Sequence, residues 1–396
     1  MKLAILGGSF NPVHIGHLFL ADEVLSSLGY DRVILVPAFQ SPFKVEVMDV
    51  SPRDRLDMLA ASISGDPRLA IDDCELNREG ISYTIETVID IIGRYIPDGR
   101  PGLIIGDDLA HGFEQWQRPE DIAELVDFII ARRVGGTALE NFPYPYKVLN
   151  NDIMNLSSSY IREKIAKGDA WRYLVPSGAR HTITGRGLYG LAASGGEPAE
   201  NTDKIARLEN TMRAALSFNR FLHSRNVALL AWDLCCRFGE DPQKGYLAGI
   251  MHDVCKDFDA DKLIRLARAD GTSISKLEHN KPGLLHARAG AVVAKRKYGI
   301  TDRDILEAIR YHTTGTWDMG SLAKIIYVAD KLEISRTGVD PVLRKKCVSD
   351  DLESLFAAVL NNTVNHLRYK QMDISYGTRR LLAAMQKRND VEKSEN

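Results

Sequence analysis

The stretch "GGSFNPVHIGH", residues Gly7–His17, carries the strongest indication of fold in the first half of the chain. It directly follows an apolar run, "KLAIL", and leads into a segment with helical spacing, "HLFLADEVLSSLG". Gly7 and Gly8 have no Cβ, so the backbone there can pass close to a phosphate. A helix that follows a first parallel strand directs its unpaired N–H groups at bound anions. The stretch therefore predicts a phosphate-binding turn, with His14 and His17 on one side of the helix start.

Length and composition limit what kind of protein this is. A chain of 396 residues favours two domains, or three, each large enough to bury a core. Hydrophobic residues make up 44% and charged residues 26%, and the formal net charge of -2 gives no general attraction to nucleic acid. No apolar run is long enough to span a bilayer, and the N-terminus lacks a signal-peptide pattern. We expect a cytoplasmic protein that binds neither nucleic acid nor membrane.

The five cysteines form no C-x-x-C pair and are odd in number. This argues against a disulfide framework and against a thiolate zinc site. We expect free thiols in or near the cores.

Segment patterns predict two domains of different class. Up to residue 190, short apolar strand-like runs alternate with helical segments, which predicts an α/β domain with a doubly wound, Rossmann-like parallel sheet. The segment "LAASGGEPAENTD", residues 191–203, has no apolar periodicity and reads as a linker. Residues 204–387 carry helical spacing throughout and predict an all-α domain, and residues 388–396 predict a disordered tail.

Further stretches in the first half are "VPAFQSPFK", "SPRDRLDML", "REGISYTIET", "IGDDL", "WQRPEDIAELVDFIIARR", "LSSSYIREKIAKG" and "YLVPSG". Together with residues 7–17 they resemble the bacterial nicotinate-nucleotide adenylyltransferases, the NadD family of the nucleotidylyltransferase superfamily, from Met1 to about Tyr189. The resemblance implies transfer of the adenylyl group of ATP to nicotinate mononucleotide, with Mg²⁺ bound to ATP. It also implies an ATP site and a mononucleotide site. The ATP site would be built from Gly7, Gly8, Ser9, Phe10, His14, His17, Lys44, Ser158, Ser159 and Arg162, and the mononucleotide site from Ser82, Tyr83, Thr84, Asp108 and Trp116.

Catalytic roles in this half are expected for His14, His17, Lys44 and Arg162, which can neutralise charge on the α-phosphate and the leaving pyrophosphate. An ionised phosphate is itself the nucleophile, so no covalent intermediate is needed and the protein mainly positions the two substrates.

Two departures from the family pattern affect substrate preference more than reaction class. Asp107 stands where the family has a small residue, and Ser159 replaces a threonine while keeping the hydroxyl, with Leu156 in place of isoleucine. Nicotinate and nicotinamide mononucleotide are not distinguished by the sequence. The rival is phosphopantetheine adenylyltransferase, which shares the first motif, but "GISYTIET" and the region of Trp116 speak against it.

The second half contains a dispersed set of metal-ligand types. The set is spread over five helical segments and comprises His223, His252, Asp253, His286, His312 and Asp330. Such a set suits a site in the middle of a helical bundle, where facing helices project ligands inward. Asp330 interrupts the apolar run "IIYVA", and burying a carboxylate there is costly unless a cation or strong donor meets it.

The stretches "HSRNVA", "GIMHDVCKD", "LLHARAGA", "YHTTG" and "VADKLE" resemble, in this order, the YqeK-like branch of the HD-domain phosphohydrolases, over about Asp203 to Lys387. The resemblance implies a centre of two divalent metal ions, commonly iron, held by the six residues, with Asp253 as the bridge. It also implies hydrolysis of diadenosine tetraphosphate to two ADP. Lys256, one helical turn from the His252–Asp253 doublet, would hold a substrate phosphate and, with Asp253, act in catalysis.

Alternatives remain for this half. Imidazole and carboxylate ligands suit iron, manganese or zinc, so the residues do not identify the metal. The domain could act on another nucleotide, or bind a nucleotide as a metal-dependent sensor that regulates the first half. The sequence leaves the oligomeric state open, and a homo-oligomer is compatible with it.

Overall fold

The computed structural model describes residues 1–40, 50–132, 142–191 and 204–394. The chain divides into two compact units, Met1–Asn210 and Thr211–Asn396. The division falls inside a helix, Lys204–Ala215.

The first unit is built on a parallel six-stranded sheet. Its strands are β1 Leu3–Gly8, β2 Arg32–Pro37, β3 Leu69–Ile71, β4 Gly102–Gly106, β5 Asp127–Ala131 and β6 Tyr146–Leu149. They lie in the order β3-β2-β1-β4-β5-β6, and every pair of neighbours is parallel. Chain order reverses between β1 and β4, so a crevice opens beyond the carboxyl ends of these two strands, where ligands of doubly wound sheets bind.

The helices of the first unit connect these strands. They are α1 Ile15–Leu28, α2 Pro52–Ser62, α3 Cys74–Arg78, α4 Thr84–Tyr95, α5 Asp107–Ala110, α6 Pro119–Leu125, α7 Ser158–Lys167 and α8 Ser177–Arg186, followed by α9 Lys204–Ala215. Short 3-10 turns cover Phe113–Gln115 and Leu188–Gly190. The signals at the helix ends are local: Ser51 and Asp54 form a capping box at the start of α2, and Gly29 ends α1 with a φ of 66°.

Residues 204–394 contain helices and turns but no strand. The helices of the second unit are α10 Phe218–Phe238, α11 Pro242–Met251, α12 Ala260–Arg268, α13 Lys276–Asn280, α14 His286–Tyr298, α15 Arg303–Tyr311, α16 Ser321–Leu332, α17 Pro341–Ser349, α18 Leu352–Tyr369 and α19 Tyr376–Ser394, with a 3-10 turn at Pro282–Leu285.

The close approach of α10 and α11 positions two of the predicted ligands. A Cβ on Gly249 would lie 2.5 Å from the Cα of Ala228, so only glycine lets the two helix backbones pack at this distance. His223 lies on α10, and His252 directly follows α11. The contact therefore brings the starting region of one helix to the end of the other.

The predicted fold class is confirmed: a parallel, Rossmann-like sheet in the first half and a helical second half. Residues 192–203, nearly all of the predicted linker, lie outside the described residues, and the predicted domain boundaries stay predictions. Helix α19 continues to Ser394 through the predicted tail, a segment that contains neither glycine nor proline to stop it. None of the described helices has the length and apolar character needed to cross a bilayer.

Candidate nucleotide cleft and metal centre

A cleft of about 670 Å³ opens in the first unit, and its walls include residues at the carboxyl ends of β1 and β4. The lining residues include eight of the ten predicted for ATP: Gly7, Gly8, Ser9, His14, His17, Ser158, Ser159 and Arg162. Lys44 falls outside the described residues. The cleft thus brings together the predicted ATP-site residues of the β1–α1 turn and those of α7.

Phe10 does not line this cleft. Its side chain is fully buried, with its ring 3.4 Å from the position a Cβ would take on Gly8 and 4.9 Å, centroid to centroid, from the ring of His17. The backbone of Phe10 has a φ of 45°, in the left-handed region that non-glycine residues rarely adopt. Phe10 therefore packs against the ring of His17. The sequence had predicted that Phe10 contacts ATP directly.

The two histidines fix each other. The backbone N–H of His14 donates to Nδ1 of His17 over 3.2 Å, and the two rings stack with centroids 3.6 Å apart. A neutral imidazole that accepts at Nδ1 carries its proton on Nε2. His17 is therefore held as a hydrogen-bond donor at Nε2.

Helix α7 is tied to the β1–α1 turn through backbone carbonyls. Ser158 Oγ donates to the carbonyl of Pro12 over 2.9 Å, and Arg162 donates to the carbonyl of Asn11 over 2.6 Å and to Ser159 Oγ over 3.1 Å. The predicted Ser158, Ser159 and Arg162 group thus closes on the turn that carries the histidines.

Three of the five residues predicted for the mononucleotide line the same cleft: Ser82, Thr84 and Trp116. Ser82 Oγ accepts from the backbone N–H of Phe39 over 3.0 Å. Tyr83 and Asp108 are not among the lining residues. The Asp107 carboxylate is buried and accepts from the backbone N–H of Asp108 over 2.9 Å, so this charge serves the start of α5.

Sequence reasoning missed Arg55 on α2. Its buried guanidinium donates to the carbonyls of Ser9, Ala38 and Phe39 over 2.7, 2.6 and 3.3 Å. It therefore joins the turn after β1 to the turn after β2. The signal was available, because an arginine inside the apolar pattern "RLDML" must be paired if it is buried.

In the second unit, all six predicted metal ligands converge. Each histidine has Nδ1 within hydrogen-bond distance of an oxygen: Gly249 O for His252, Gly283 O for His286, Ile309 O for His312 and Glu333 Oε1 for His223, at 2.6 to 3.0 Å. These oxygens can only accept, so Nδ1 is the donor in each ring. Every Nε2 is left as the ligand atom, which is the usual outer-shell arrangement of metal-bound histidines.

The Nε2 atoms face one another at short distances. His223 and His252 approach to 3.2 Å, and His286 and His312 to 3.0 Å. Two groups of three ligand atoms lie within 4.8 Å of one another: His223, His252 and Asp330, and His252, Asp253 and His312. Facing lone pairs repel unless a cation lies between them, so the donor set fits divalent metal ions.

The two oxygens of Asp253 face different parts of this cluster. Oδ1 lies 3.1 Å from Nε2 of His286 and 3.6 Å from that of His312, whereas Oδ2 lies 3.7 Å from Nε2 of His252. The carboxylate is buried, and it also accepts from Arg220 over 2.9 Å. This orientation suits a carboxylate that bridges two cations.

The electrostatics of the cluster attract positive charge. Burial lowers the pKa of His252 to about 3, so this ring is neutral. Burial also lowers the pKa of His223, but hydrogen bonds to Asp330 and Glu333 outweigh it and raise the pKa to about 9. A metal ion bound at Nε2 of His223 would therefore displace a proton. Burial disfavours the charge on Asp330, yet Lys331 and His223 hold the pKa of this carboxyl well below its usual range. The Asp330 carboxylate is therefore ionised.

Cationic side chains surround the ligands. Lys256 Nζ lies 3.2 Å from Nε2 of His286, and burial lowers the pKa of this amine. Sequence reasoning predicted Lys256 but missed Arg220 and Glu333. Glu333 is three residues after Asp330, on the same side of its helix, so the spacing in "VADKLE" could have found it.

Comparisons with known proteins cover both halves. Residues 5–164 match the cytidylyltransferase-like family and residues 220–335 the HD domain family. The probable nicotinate-nucleotide adenylyltransferase of Treponema pallidum is 42% identical over 202 residues, 48% of this chain and 99% of the relative. That of Geobacillus thermodenitrificans is 38% identical over 49% of this chain and 88% of its own.

Two solved structures are also similar. A predicted HD superfamily hydrolase involved in NAD metabolism, from Clostridium acetobutylicum, is 31% identical over 46% of this chain and 96% of its own, with a TM-score of 0.44. The nicotinic acid mononucleotide adenylyltransferase of Plasmodium falciparum is 19% identical over 48% of this chain and 98% of its own, with a TM-score of 0.41.

Proposed function

Because the N-terminal half of this chain belongs to the nicotinate-nucleotide adenylyltransferase family, we propose that it joins ATP and nicotinate mononucleotide into nicotinate adenine dinucleotide and pyrophosphate. One observation carries the proposal: the cleft at the reversal point of the sheet is lined by both histidines of residues 7–17 and by Arg162 of α7. Such a cleft can hold a triphosphate at the start of α1.

The reaction needs charge stabilisation more than proton transfer. A phosphate oxygen of the mononucleotide forms a bond to the α-phosphorus of ATP, and the bond from this phosphorus to the pyrophosphate oxygen breaks. The Nε2–H of His17 would donate to a non-bridging oxygen of the α-phosphate, where charge develops. His14, Arg162 and Lys44 would neutralise the departing pyrophosphate, and Mg²⁺ bound to ATP would add to this.

The mononucleotide would lie against Ser82, Thr84 and Trp116, whose indole offers a face for the pyridine ring. Tyr83 and Asp108 belong to this proposed site through the family resemblance alone.

Substrate competition tests this half of the proposal. The full chain should turn over nicotinate mononucleotide with ATP and form the dinucleotide faster than it adenylylates phosphopantetheine. A higher kcat/KM for phosphopantetheine would contradict the proposal and support the rival transferase. The same assay gives the ratio of kcat/KM for nicotinate mononucleotide to kcat/KM for nicotinamide mononucleotide.

For the second half, we infer a metal-dependent phosphohydrolase that splits diadenosine tetraphosphate into two ADP. The carrying observation is the convergence of four Nε2 atoms, each with its Nδ1 held by an oxygen. Two divalent cations, with iron as the favoured metal, would be held by His223, His252, Asp253, His286, His312 and Asp330. When bound, they would supply an acidified water as nucleophile and neutralise phosphate charge.

The chain's own residues would set where the polyphosphate is cut. Lys256 Nζ lies 3.7 Å from Oδ1 of Asp253, and the guanidinium of Arg220 lies 2.9 Å from Oδ2. Both cations can bind phosphate oxygens there. The symmetric cut would follow from where these cations hold the chain of phosphates.

The variant Asp253→Ala tests this proposal. It should lose bound metal, measured by elemental analysis after incubation with Fe²⁺ or Mn²⁺, and should release no ADP from diadenosine tetraphosphate. Asp257→Ala is a matched control, because its carboxylate is exposed and lies 3.8 Å from Arg220. A wild-type protein that binds the metals and the nucleotide without releasing any product would favour the sensor, and release of ATP plus AMP would refute the symmetric cut.

A further inference from the structure

We propose that the exposed rings of Trp317 and Tyr376 form a subsite for the nucleobase of the substrate, beside the metal centre of the second unit. This inference rests on the proposed phosphohydrolase function and adds a base-binding element to it. The ligand class is an adenine nucleotide whose phosphates lie at the metal ligands.

The chain itself keeps Trp317 close to the metal ligands. Trp317 is five residues after His312, and five extended residues span at most about 17 Å. The loop starts inside the cluster, because Thr313 Oγ1 lies 2.9 Å from Nε2 of His312 and 3.2 Å from Nε2 of His286. The loop that carries Trp317 therefore begins at the metal ligands.

The start of α19 is locked to this loop. Thr378 Oγ1 is nearly buried and donates to the carbonyl of Thr314 over 2.6 Å. A Cβ on Gly377 would lie 2.8 Å from the carbonyl oxygen of Gly315, so the two backbones touch. Tyr376 directly precedes these contacts and is therefore held beside this loop.

An ion pair near His286 also places the segment before α19 close to the metal ligands. Lys281 Nζ lies 3.6 Å from a carboxylate oxygen of Asp373, and Lys281 is five residues before the ligand His286. The segment from Asp373 to Thr378 therefore connects the loops that flank His286 and His312. Of these two ligands, His286 has its Nε2 3.2 Å from Nζ of Lys256, the proposed phosphate contact.

The side chains on this loop and at the start of α19 suit a flat base. The rings of Trp317 and Tyr376 are 51% and 67% exposed, although large aromatic side chains gain by burial. The guanidinium of Arg380 lies 5.6 Å from the Trp317 ring centre and 5.9 Å from that of Tyr376. Two aromatic faces and a planar cation are the groups on which bases stack.

Kinetics of the full chain with Mn²⁺ and diadenosine tetraphosphate test the subsite. Trp317→Ala and Tyr376→Ala should each raise KM at least fivefold and leave kcat within about twofold, because each removes one stack and no metal ligand. Trp317→Phe and Tyr376→Phe should restore most of the affinity. Tyr173→Ala, which removes an 85% exposed ring from the first unit, should change neither constant.

Photolabelling with 8-azidoadenosine diphosphate gives a readout that does not depend on turnover. Peptide mapping of the labelled full chain should place label within residues 313–320 or 373–380, separate from label in the first unit, and Trp317→Ala should reduce it. Label there without hydrolysis of the tetraphosphate would support the subsite and refute the proposed hydrolysis. Normal KM in both alanine variants, with no label in these residues, would overturn the subsite while the hydrolysis stands.

Discussion

At the scale of single residues, hydrogen bonds to backbone atoms determine what the side chains of both sites can do. The backbone N–H of His14 occupies Nδ1 of His17, and carbonyl oxygens occupy Nδ1 of His252, His286 and His312. In the first case the ring is left as a donor, and in the others as a metal ligand. The same residue type is therefore suited to two chemistries by its backbone partner.

Sequence patterns identify residues that touch ligands more easily than residues that hold them. All six candidate metal ligands could be named from the sequence because histidines and aspartates in apolar segments are conspicuous. Arg55 and Arg220 were missed. Their partners are distant carbonyls and a distant carboxylate, which no local spacing identifies, although the apolar pattern around Arg55 indicates that a buried arginine there must be paired.

Tyr189 is a positioning residue that can be tested at this scale. Its hydroxyl donates to Asn11 Oδ1 over 2.7 Å in a buried contact, and the carbonyl of Asn11 accepts from Arg162. Burial raises the pKa of Tyr189, so it remains a donor at all working pH values. Tyr189→Phe should cost about 1–3 kcal/mol of stability because it leaves a buried amide oxygen unpaired.

The same variant should lower the kcat of adenylyl transfer several-fold with a smaller change in KM, because the turn that carries His14 loses a constraint. Thermal unfolding and steady-state kinetics measure the two effects, with Tyr173→Phe as the exposed control. Unchanged kcat would show that the contact is purely structural.

At the scale of elements, strands β1 to β5 were predictable because each is a buried apolar run. Strand β6, Tyr146–Leu149, was missed. It is a four-residue edge strand in which three side chains are exposed and only Leu149 is buried. Its position in the sheet follows from parallel pairing with β5, which no local pattern shows.

An ion pair between elements gives a pH-dependent test. Asp72, which follows β3, accepts from Arg94 near the end of α4 over 2.7 and 2.8 Å and from Tyr95 over 2.9 Å. Burial raises the pKa of Asp72, but Arg94 more than offsets this and holds it below its ordinary value. Since the folded-state pKa is below the unfolded one, the stabilisation is complete above about pH 4 and is lost as pH falls through the folded-state pKa.

Asp72→Asn should therefore cost about 3 kcal/mol at pH 7, and the difference from wild type should shrink below about pH 4. Asp90→Asn is a matched control, because Asp90 binds the same Arg94 but is 38% exposed and should cost less than about 1 kcal/mol. Urea unfolding of residues 1–210 between pH 3 and 7 measures both. A difference that does not vary with pH would exclude the ionised pair as its source.

At the scale of the whole molecule, the sequence predicts a linker at residues 191–203 and a second domain from residue 204, and the compact units divide at Asn210. The reason lies in α9, where the buried Glu209 accepts from the backbone N–H of Gly65 over 2.8 Å. A contact between residues 144 positions apart leaves no trace in local patterns.

This contact predicts how the chain can be cut. Fragment 1–210 should be more stable to urea than fragment 1–190, and Glu209→Gln in the longer fragment should remove about 1–2 kcal/mol of the difference. Both fragments should retain adenylyl transfer, and fragment 211–396 should retain the hydrolase activity. Equal stability of the two N-terminal fragments would show that α9 contributes nothing to the first unit.

We infer that one chain carries two separate chemistries, and a single product analysis tests this inference. ATP, nicotinate mononucleotide and diadenosine tetraphosphate are incubated together with Mg²⁺ and Mn²⁺, and the nucleotides are separated by chromatography. The wild-type protein should form both nicotinate adenine dinucleotide and ADP. His17→Ala should lower the rate of dinucleotide formation at least about 10²-fold and leave ADP release unchanged. Asp253→Ala should release no ADP and still form the dinucleotide. Loss of both products in either variant, or of neither, would contradict the account.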